Sequence, residues 1–307
     1  MRIILLGSTA SGKTELSLQL AEELGASIIS ADSRQCYKHL DVGTAKPSKE
    51  ELDKVPHYNI SNLELEEEDS AVKFVERARL WERKILQRSK HILYAGGSTL
   101  HLTGLIQPFS DIPDSNEENI TQLNQQIEEE GIEPLYEKLK EVDPEYIPKM
   151  DGMNRQRIIR ALDVWMQTAK PFSSFHQKEE LTLPENTLVF GLHHPREKLY
   201  ERINQRVEIM IKRGLIEEVE SILNKGYSKE LQSLQTVGYR EVISFLDGDF
   251  TKEEMIEKIK TNTRRYAKRQ LTWFRRWKFV EWLDADKLSV EEMKNQVLRI
   301  ITSADLP

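Results

Sequence analysis

The stretch RIILLGSTASGKTELSLQLAEELG (residues 2–25) decides the fold. It opens with a short apolar run that ends in Gly7, which predicts a buried strand. The segment GSTASGKT (7–14) fits the pattern G-x-x-x-x-G-K-[ST] at every position. Leucines at every fourth position then predict an amphipathic helix that closes at Gly25. A strand, a glycine-rich loop and a helix in this order form a phosphate-binding loop, or P-loop.

Each part of this loop has an expected role. Peptide N–H groups ring the phosphates, the Lys13 ammonium adds a positive charge, and the Thr14 hydroxyl can ligate Mg²⁺. The motif specifies a diphosphate-sized anion with a metal and leaves the rest of the ligand open. The residues expected to line the anion are Gly7, Ser8, Thr9, Ala10, Ser11, Gly12, Lys13 and Thr14.

Strands and helices continue to alternate after the loop. ASIISADS (26–33) and HILYAGGS (91–98) predict strands, and DSAVKFVERARLWERKILQRSK (69–90) predicts a long helix between them. This pattern is typical of an α/β, P-loop NTPase-like fold with a doubly wound parallel sheet. Ligands of such sheets bind at the carboxyl ends of the strands. The residues expected at that edge are 7–14, 32–35 and 96–99.

The pattern changes near residue 111. No convincing strand follows until NTLVFGLHHP (186–195), and the periodic segments in between are helical in character. We therefore expect a helical insertion domain at 112–187. The core domain then consists of 1–111 and 188–307, and its last part ends in helices.

Composition narrows the class of protein. The chain has 307 residues, a net charge of −7 and a single cysteine, Cys36, which excludes a disulfide framework and a multi-cysteine zinc finger. No apolar run approaches the ~20 residues of a membrane span, so we expect a cytoplasmic protein without membrane contact. The segment TRRYAKRQLTWFRRWK (263–278) carries seven Lys and Arg and no acid. Its aromatic residues follow helical spacing and favour a core position, which leaves a basic face for an external polyanion.

Asp32 ends the second predicted strand and lies next to the loop. A carboxylate there can act as a general base, can hold a metal-bound water, or can cap the turn that follows. Ser33 and Gln35 offer donors and acceptors suited to a base edge. The strand HILYAGG carries no second acid for a metal and its water, which argues against an ATP hydrolase.

The sequence allows two roles for each of two groups of arginines. Arg202 and Arg206 are one helical turn apart and can close over a pyrophosphate, or can form an ordinary solvated face. Arg155, Arg157 and Arg160 begin an amphipathic helix and can clamp a phosphate backbone, or can equally be a solvated basic face.

Taken together, the motifs resemble one family, the tRNA dimethylallyltransferases of the bacterial type, also called tRNA isopentenyltransferases. The resemblance extends from residue 2 to about 278, and its motifs occur in the family's order. The matching stretches are GSTASGKT (7–14), ADSRQCYKHLDVGTAKP (31–47), VPHYNIS (55–61), AGGSTLHL (95–102), NRQRIIRALDVW (154–165), PFSSFHQ (171–177), GLIEEV (214–219), TVGYREV (236–242) and TRRYAKRQLTWFRRW (263–277).

The resemblance implies transfer of a dimethylallyl group from dimethylallyl diphosphate to N6 of the adenosine next to the anticodon of tRNA (position 37), with Mg²⁺ as cofactor. Asp32 resembles the base that accepts the N6 proton, and Lys13 and Arg206 resemble the diphosphate-binding cations. Ser98 stands where the family has threonine in a GGTGLY-like turn, which here is GGSTLH. The expected partners are the tRNA anticodon stem-loop and dimethylallyl diphosphate, with no obligate protein partner.

The resemblance also assigns tRNA contacts, including contacts from the helical insertion. The residues implied are Asp32, Ser33, Arg34, Gln35, Ser98, Arg155, Gln156, Arg157, Ile158, Ile159, Gly238, Tyr239 and Arg240.

Two other functional hypotheses use the same loop. An adenylate isopentenyltransferase or a small-molecule P-loop kinase would have a small acceptor, whereas the basic segments favour a polynucleotide. A non-catalytic P-loop RNA-binding switch would bind ATP or GTP and give no product from dimethylallyl diphosphate.

Overall fold

The computed structural model describes residues 1–150, 152–176 and 181–304. The chain forms two compact units, one made of Met1–Gln107 with Thr182–Pro307 and the other of Pro108–Leu181. The larger unit contains the sheet and the P-loop, and the smaller unit is helical. None of the described helices combines the length and apolar character that a membrane span requires.

The first part of the larger unit alternates strands with helices. Its elements are β1 (Arg2–Gly7), α1 (Lys13–Leu24), β2 (Ser27–Ala31), α2 (Lys49–Lys54), β3 (His57–Tyr58), α3 (Ala71–Leu86), β4 (Ile92–Gly96) and α4 (Thr99–Ile106). The predicted strands and the long helix are confirmed to within a few residues. The short α2 and the two-residue β3 were not predicted, because neither is long enough to show a hydrophobic period.

The smaller unit has its own apolar core. Its elements are α5 (Glu117–Glu130), α6 (Glu133–Val142), a 3-10 turn at Ile147–Lys149, α7 (Arg155–Thr168) and a second 3-10 turn at Phe172–Phe175. Leucines 123, 135 and 139 pack with isoleucines 158 and 159 in its centre. The predicted insertion began at 112 and ended at 187, whereas the unit spans Pro108–Leu181. Gln177, the last residue of the PFSSFHQ stretch, lies outside the described residues.

The chain then completes the larger unit with β5 (Thr187–His193), α8 (Arg196–Lys212), α9 (Leu215–Asn224), α10 (Tyr239–Leu246), α11 (Lys252–Phe274), β6 (Glu281–Asp284) and α12 (Val290–Ala304). Only helices were expected after β5, and β6 corrects this. It is a four-residue edge strand, EWLD, with an acid at each end and a single fully buried side chain, Leu283. Such a strand carries almost no apolar signal.

The strands lie in the order β3-β2-β4-β1-β5-β6, and every pair is parallel. This confirms the doubly wound α/β prediction. Ala31 of β2 is in register with Gly96 of β4, and Leu6 of β1 is in register with the same glycine. The residues that follow β1, β2, β4 and β5 therefore meet at one edge of the sheet.

Candidate active site at the carboxyl edge of the sheet

The P-loop closes around its own lysine. The Lys13 ammonium donates to the carbonyl oxygens of Gly7 (3.0 Å) and Ser8 (2.6 Å) and to the Ser11 hydroxyl (3.3 Å). Gly12 has a left-handed backbone, with φ of 95°, and so turns the chain into α1. The loop therefore places one ammonium beside the first peptide N–H groups of a helix, an arrangement suited to an anion.

Two side chains from beyond β5 hold the outside of the loop. The Arg202 Nε donates to the Ala10 carbonyl at 2.8 Å, and the buried His194 Nε2 donates to the Ser11 carbonyl at 3.0 Å. Burial lowers the pKa of His194, so the neutral ring with a proton on Nε2 fills this role. The loop backbone is thus held by side chains that follow β5.

Arg202 and Arg206 lie one helical turn apart, but their guanidinium groups have different partners. Arg202 is exposed and bonded to the loop backbone, whereas Arg206 points inward and donates to the Thr44 carbonyl at 3.3 Å. The Arg202 guanidinium is bonded to the P-loop backbone. Of the two arginines, Arg206 is therefore the one that faces the site.

Lys13, Arg206 and Asp32 form one cluster of interacting charges. The pKa of Lys13 is lowered to about 7, mainly by burial and also by the neighbouring Arg206, while Asp32 opposes both effects. Burial also lowers the pKa of Arg206, again opposed by Asp32. Two basic groups therefore face one carboxylate, an arrangement suited to an anionic ligand.

Ser98 joins this cluster through the sheet. Its backbone N–H donates to the Ala31 carbonyl at 3.1 Å, directly before Asp32, and its hydroxyl makes no capping bond to α4. The structure therefore brings the four predicted catalytic residues, Asp32, Ser98, Lys13 and Arg206, to one edge of the sheet.

Asp32 does cap the turn that follows it. Its Oδ1 accepts from the backbone N–H of Arg34 (2.9 Å) and of Gln35 (3.3 Å). Oδ2 takes part in neither bond. Capping and proton transfer therefore need not compete, because they use different oxygens of one carboxylate.

Gln35 has a structural use that its sequence position did not reveal. Its Oε1 accepts from the Ser30 hydroxyl at 2.9 Å, and its Nε2 donates to the carbonyls of Thr44 and Ala45, both at 3.3 Å. The amide that was expected to contact a base edge is thus engaged in holding the segment that also contacts Arg206.

Glu218 anchors the start of this segment. Its carboxylate accepts from the backbone N–H groups of Asp41 (3.0 Å), Val42 (2.7 Å) and Gly43 (3.2 Å), and from the Tyr239 hydroxyl (2.5 Å). A Cβ on Gly43 would lie 2.4 Å from the Tyr239 ring. The segment is therefore held by α9 and α10, and the contact requires glycine.

Several residues of the predicted tRNA contact are buried. Tyr239 is fully buried and bonded to Glu218, and Gly238 is also buried. Only Arg240 of this group is exposed. The apolar ring of Tyr239 packs in the core, so a side-chain contact with tRNA does not fit its position.

On α7 of the smaller unit, too, some residues of the predicted tRNA contact are exposed and others are buried. Arg155, Gln156 and Arg157 are exposed, whereas Ile158 and Ile159 are 0% and 9% exposed and belong to the core. Helical periodicity turns the two isoleucines away from solvent, so a side-chain contact with tRNA does not fit their position.

Arg160 is also less available than the sequence suggested. Its guanidinium donates at 2.8 Å to Asp163, which is fully buried. The exposed basic group of α7 is therefore formed by the first two of the three predicted arginines.

Comparison with known proteins identifies the family. The family model described as IPP transferase matches residues 35–277. The chain belongs to the IPP transferase family. It is 41% identical over 301 residues to the tRNA dimethylallyltransferase of Clostridioides difficile, with 97% of this chain and 96% of that protein covered. The corresponding protein of Salinibacter ruber is 42% identical over 292 residues, with 95% and 90% covered.

Solved structures agree with this assignment. The tRNA delta(2)-isopentenylpyrophosphate transferase of Staphylococcus epidermidis superposes with a TM-score of 0.72 at 35% identity and covers 98% of both chains. A eukaryotic dimethylallyltransferase acting on tRNA superposes with a TM-score of 0.80 at 28% identity, over 99% of this chain and 79% of that chain. The family and the P-loop type of fold predicted from the sequence are confirmed.

The described residues of the site offer few side chains that could ligate a metal. Among the described residues there is no group of three or more His, Cys, Asp or Glu side chains placed to hold a metal. Thr14 is exposed at the first turn of α1. Mg²⁺ commonly takes one or two protein ligands together with substrate phosphates. The residues present would therefore fit a Mg²⁺ bound together with phosphates, for which the Thr14 hydroxyl would be a protein ligand.

The sequence alone did not assign a role to Gln270 or to His194. For Gln270, its position on a helix did indicate that it is buried and needs hydrogen-bond partners. Gln270 lies on the apolar face that Tyr266, Trp273 and Trp277 mark by helical spacing, and it is 4% exposed. A polar residue at a buried helical position needs hydrogen-bond partners. His194 had no comparable signal, since its partner is a backbone carbonyl.

Proposed function

We propose that the chain transfers a dimethylallyl group from dimethylallyl diphosphate to N6 of the adenosine next to the anticodon of tRNA. The products are N6-dimethylallyladenosine in tRNA and diphosphate. The observation that carries the proposal is the cluster of Lys13, Arg206 and Asp32, which sets two cations beside one carboxylate at the end of the neighbouring strand. The names of the relatives supply the donor and the acceptor.

The diphosphate is the leaving group. The N-terminal N–H groups of α1, the Lys13 ammonium and the Arg206 guanidinium bind its oxygens and stabilise the charge that develops as the C1–O bond breaks. Mg²⁺, held by Thr14 and the diphosphate, would supply further neutralisation of that charge. An allylic carbon tolerates positive charge, so alignment and leaving-group stabilisation are the main requirements.

The adenine amine is the nucleophile. Its lone pair forms the N6–C1 bond while the electrons of the C1–O bond leave with the diphosphate, and Asp32 takes the displaced proton on Oδ2. A base must leave its stack before its amine is reachable. Ser98, at the start of α4, lies on the same edge as Asp32, which supports a contact with one of the reactants.

Surface charge favours tRNA over a small acceptor. Arg265, Lys268 and Arg269 of α11 are exposed, as is Arg240. An adenylate or a kinase substrate would need no such surface, whereas a phosphate backbone does. We propose the anticodon stem-loop as the acceptor region and the cytoplasm, where tRNA is present, as the compartment.

The test is incubation of the protein with tRNA, Mg²⁺ and labelled dimethylallyl diphosphate, followed by nuclease digestion and mass analysis of the nucleosides. We expect dimethylallyladenosine at one site per tRNA. Parallel reactions replace tRNA by AMP and dimethylallyl diphosphate by ATP. Label in AMP alone would favour the adenylate isopentenyltransferase, phosphate transfer from ATP would favour a kinase, and ATP binding without any product would favour the RNA-binding switch.

A further inference from the structure

Gln270 of α11 bridges two loops of the active-site edge. Its Oε1 accepts from the Thr9 N–H in the P-loop at 3.0 Å, and its Nε2 donates to the Gly97 carbonyl after β4 at 2.7 Å. The side chain is 4% exposed. One buried amide therefore ties the loop of the first strand to the loop of its neighbour.

The surrounding space is shaped for this amide. A Cβ on Gly97 would lie 2.5 Å from the Gln270 Nε2 and 3.0 Å from the Gly7 carbonyl oxygen. The Tyr266 side chain hydrogen-bonds the amide from one helical turn before it. The amide thus fits a gap that exists only because residue 97 is glycine.

The next turn of α11 holds the same region. The Trp273 indole N–H donates to the Thr103 hydroxyl at 3.2 Å, and that hydroxyl donates to the Thr99 carbonyl at 2.7 Å. Two consecutive turns of α11 therefore contact the region around the start of α4. Of the two residues that make these contacts, Gln270 and Trp273, only Gln270 also bonds to the P-loop.

The two loops carry opposite halves of the proposed reaction. The P-loop binds the diphosphate, while the Gly97–Ser98 turn is bonded to Ala31 and so to the strand end that presents Asp32. We infer that Gln270 is a positioning residue, whose amide fixes the separation between the diphosphate-binding loop and the Asp32–Ser98 edge. This inference rests on the proposed function.

The role requires a donor and an acceptor on one side chain. Thr9 offers an N–H and Gly97 offers a carbonyl, and each is left without its partner if the amide is removed. An ionised glutamate at 270 would still accept from Thr9 but would face the Gly97 oxygen with a second acceptor. A protonated glutamate would restore both bonds.

The experiment compares the wild type with Gln270→Met, which fills the space without either bond, and with Gln270→Glu. Transfer of the dimethylallyl group to tRNA is measured between pH 5.5 and 8.5 with both substrates saturating, and each rate is divided by the wild-type rate at the same pH. Tyr266, whose pKa is raised to about 12 by burial, stays neutral in this range. Lys13 titrates in the wild type as well, so division by the wild-type rate reduces its contribution to the ratio.

We expect Gln270→Met to lower kcat by about 10- to 100-fold, the scale of a misplacement near 1 Å, with both KM values and the Kd of pyrophosphate little changed. The Gln270→Glu ratio should be low at pH 8.5 and rise at least about tenfold toward pH 5.5 as the carboxyl gains its proton. The matched control is Gln296→Glu on α12, whose ratio should stay near one at every pH.

Wild-type rates in both variants, or a Gln270→Glu ratio that does not change with pH, would overturn the inference. Equal losses of kcat and of pyrophosphate affinity would also overturn it, because they would indicate general damage to the fold. If Gln270→Met is too unstable to purify, the pH dependence of the Gln270→Glu ratio decides alone. Absence of product from the wild type would instead refute the proposed function.

Discussion

The lowered pKa of Lys13 predicts that diphosphate binding takes up a proton. Burial and Arg206 bring the pKa of this ammonium from 10.5 to about 7 in the free protein. At pH 8 only roughly one-tenth of Lys13 is then protonated, and at pH 6 roughly nine-tenths. A bound diphosphate favours the charged form. Binding should therefore add about 0.9 proton to Lys13 at pH 8 and about 0.1 at pH 6.

The sign of the effect on stability follows from the same shift. Between pH 7 and 10.5 the unfolded chain binds more protons at this position than the folded chain. The Lys13 contribution to the free energy of unfolding of the free protein therefore rises with pH across this window. Diphosphate affinity falls over the same window, because the form that binds must first be protonated.

The assay is calorimetric titration with pyrophosphate in two buffers of different ionisation enthalpy, at pH 6 and pH 8. Pyrophosphate exchanges protons of its own, so the control is Lys13→Arg, which keeps the charge but does not titrate. The difference in proton uptake between the two proteins isolates Lys13. A difference near zero at pH 8 would refute the reasoning, since it would mean that Lys13 is already charged in the free protein.

Three further predictions concern the framework of the site. Tyr239→Phe removes one hydrogen bond to the Glu218 carboxylate and should lower the free energy of unfolding in urea by about 1–3 kcal/mol; a loss below the error of the titration would contradict this. Gly96→Ala would set a Cβ 2.2 Å from the Ala31 carbonyl oxygen, so we expect a stability loss of about 1–3 kcal/mol or more together with slower transfer, and an unchanged melting temperature would argue against it. Burial and then Asp69 raise the pKa of Cys36 to about 12, so its thiol should react with an alkylating reagent only on unfolding, and rapid labelling of the native protein at pH 8 would show otherwise.

The elements that could be predicted are those determined by short, contiguous stretches of sequence. GSTASGKT determines the loop, the position of Lys13 and the start of α1, because the motif encodes backbone geometry over eight adjacent residues. The sheet follows from apolar runs of ordinary length. By contrast, β6 escapes detection because an edge strand of four residues buries too little to show a pattern.

The unpredicted part depends on partners that are distant in the chain. Gln35 was assigned to a base edge because its amide is suited to one, yet Ser30 and the 44–45 carbonyls engage that amide. Arg202 and Arg206 share a helical face, but one contacts the P-loop backbone and the other faces the site. Helical spacing gives the direction in which a side chain leaves the helix, and only the tertiary fold determines what it meets.

Asp32→Asn tests most directly whether Asp32 accepts the N6 proton while the P-loop cations hold the diphosphate. Asparagine keeps an Oδ1 for the N–H groups of Arg34 and Gln35 but cannot act as the base, whereas Asp32→Ala loses both functions. Single-turnover transfer to tRNA should fall by about 10²- to 10⁴-fold in Asp32→Asn, with the Kd values for tRNA and pyrophosphate close to those of the wild type. Transfer at the wild-type rate by Asp32→Asn would contradict the account.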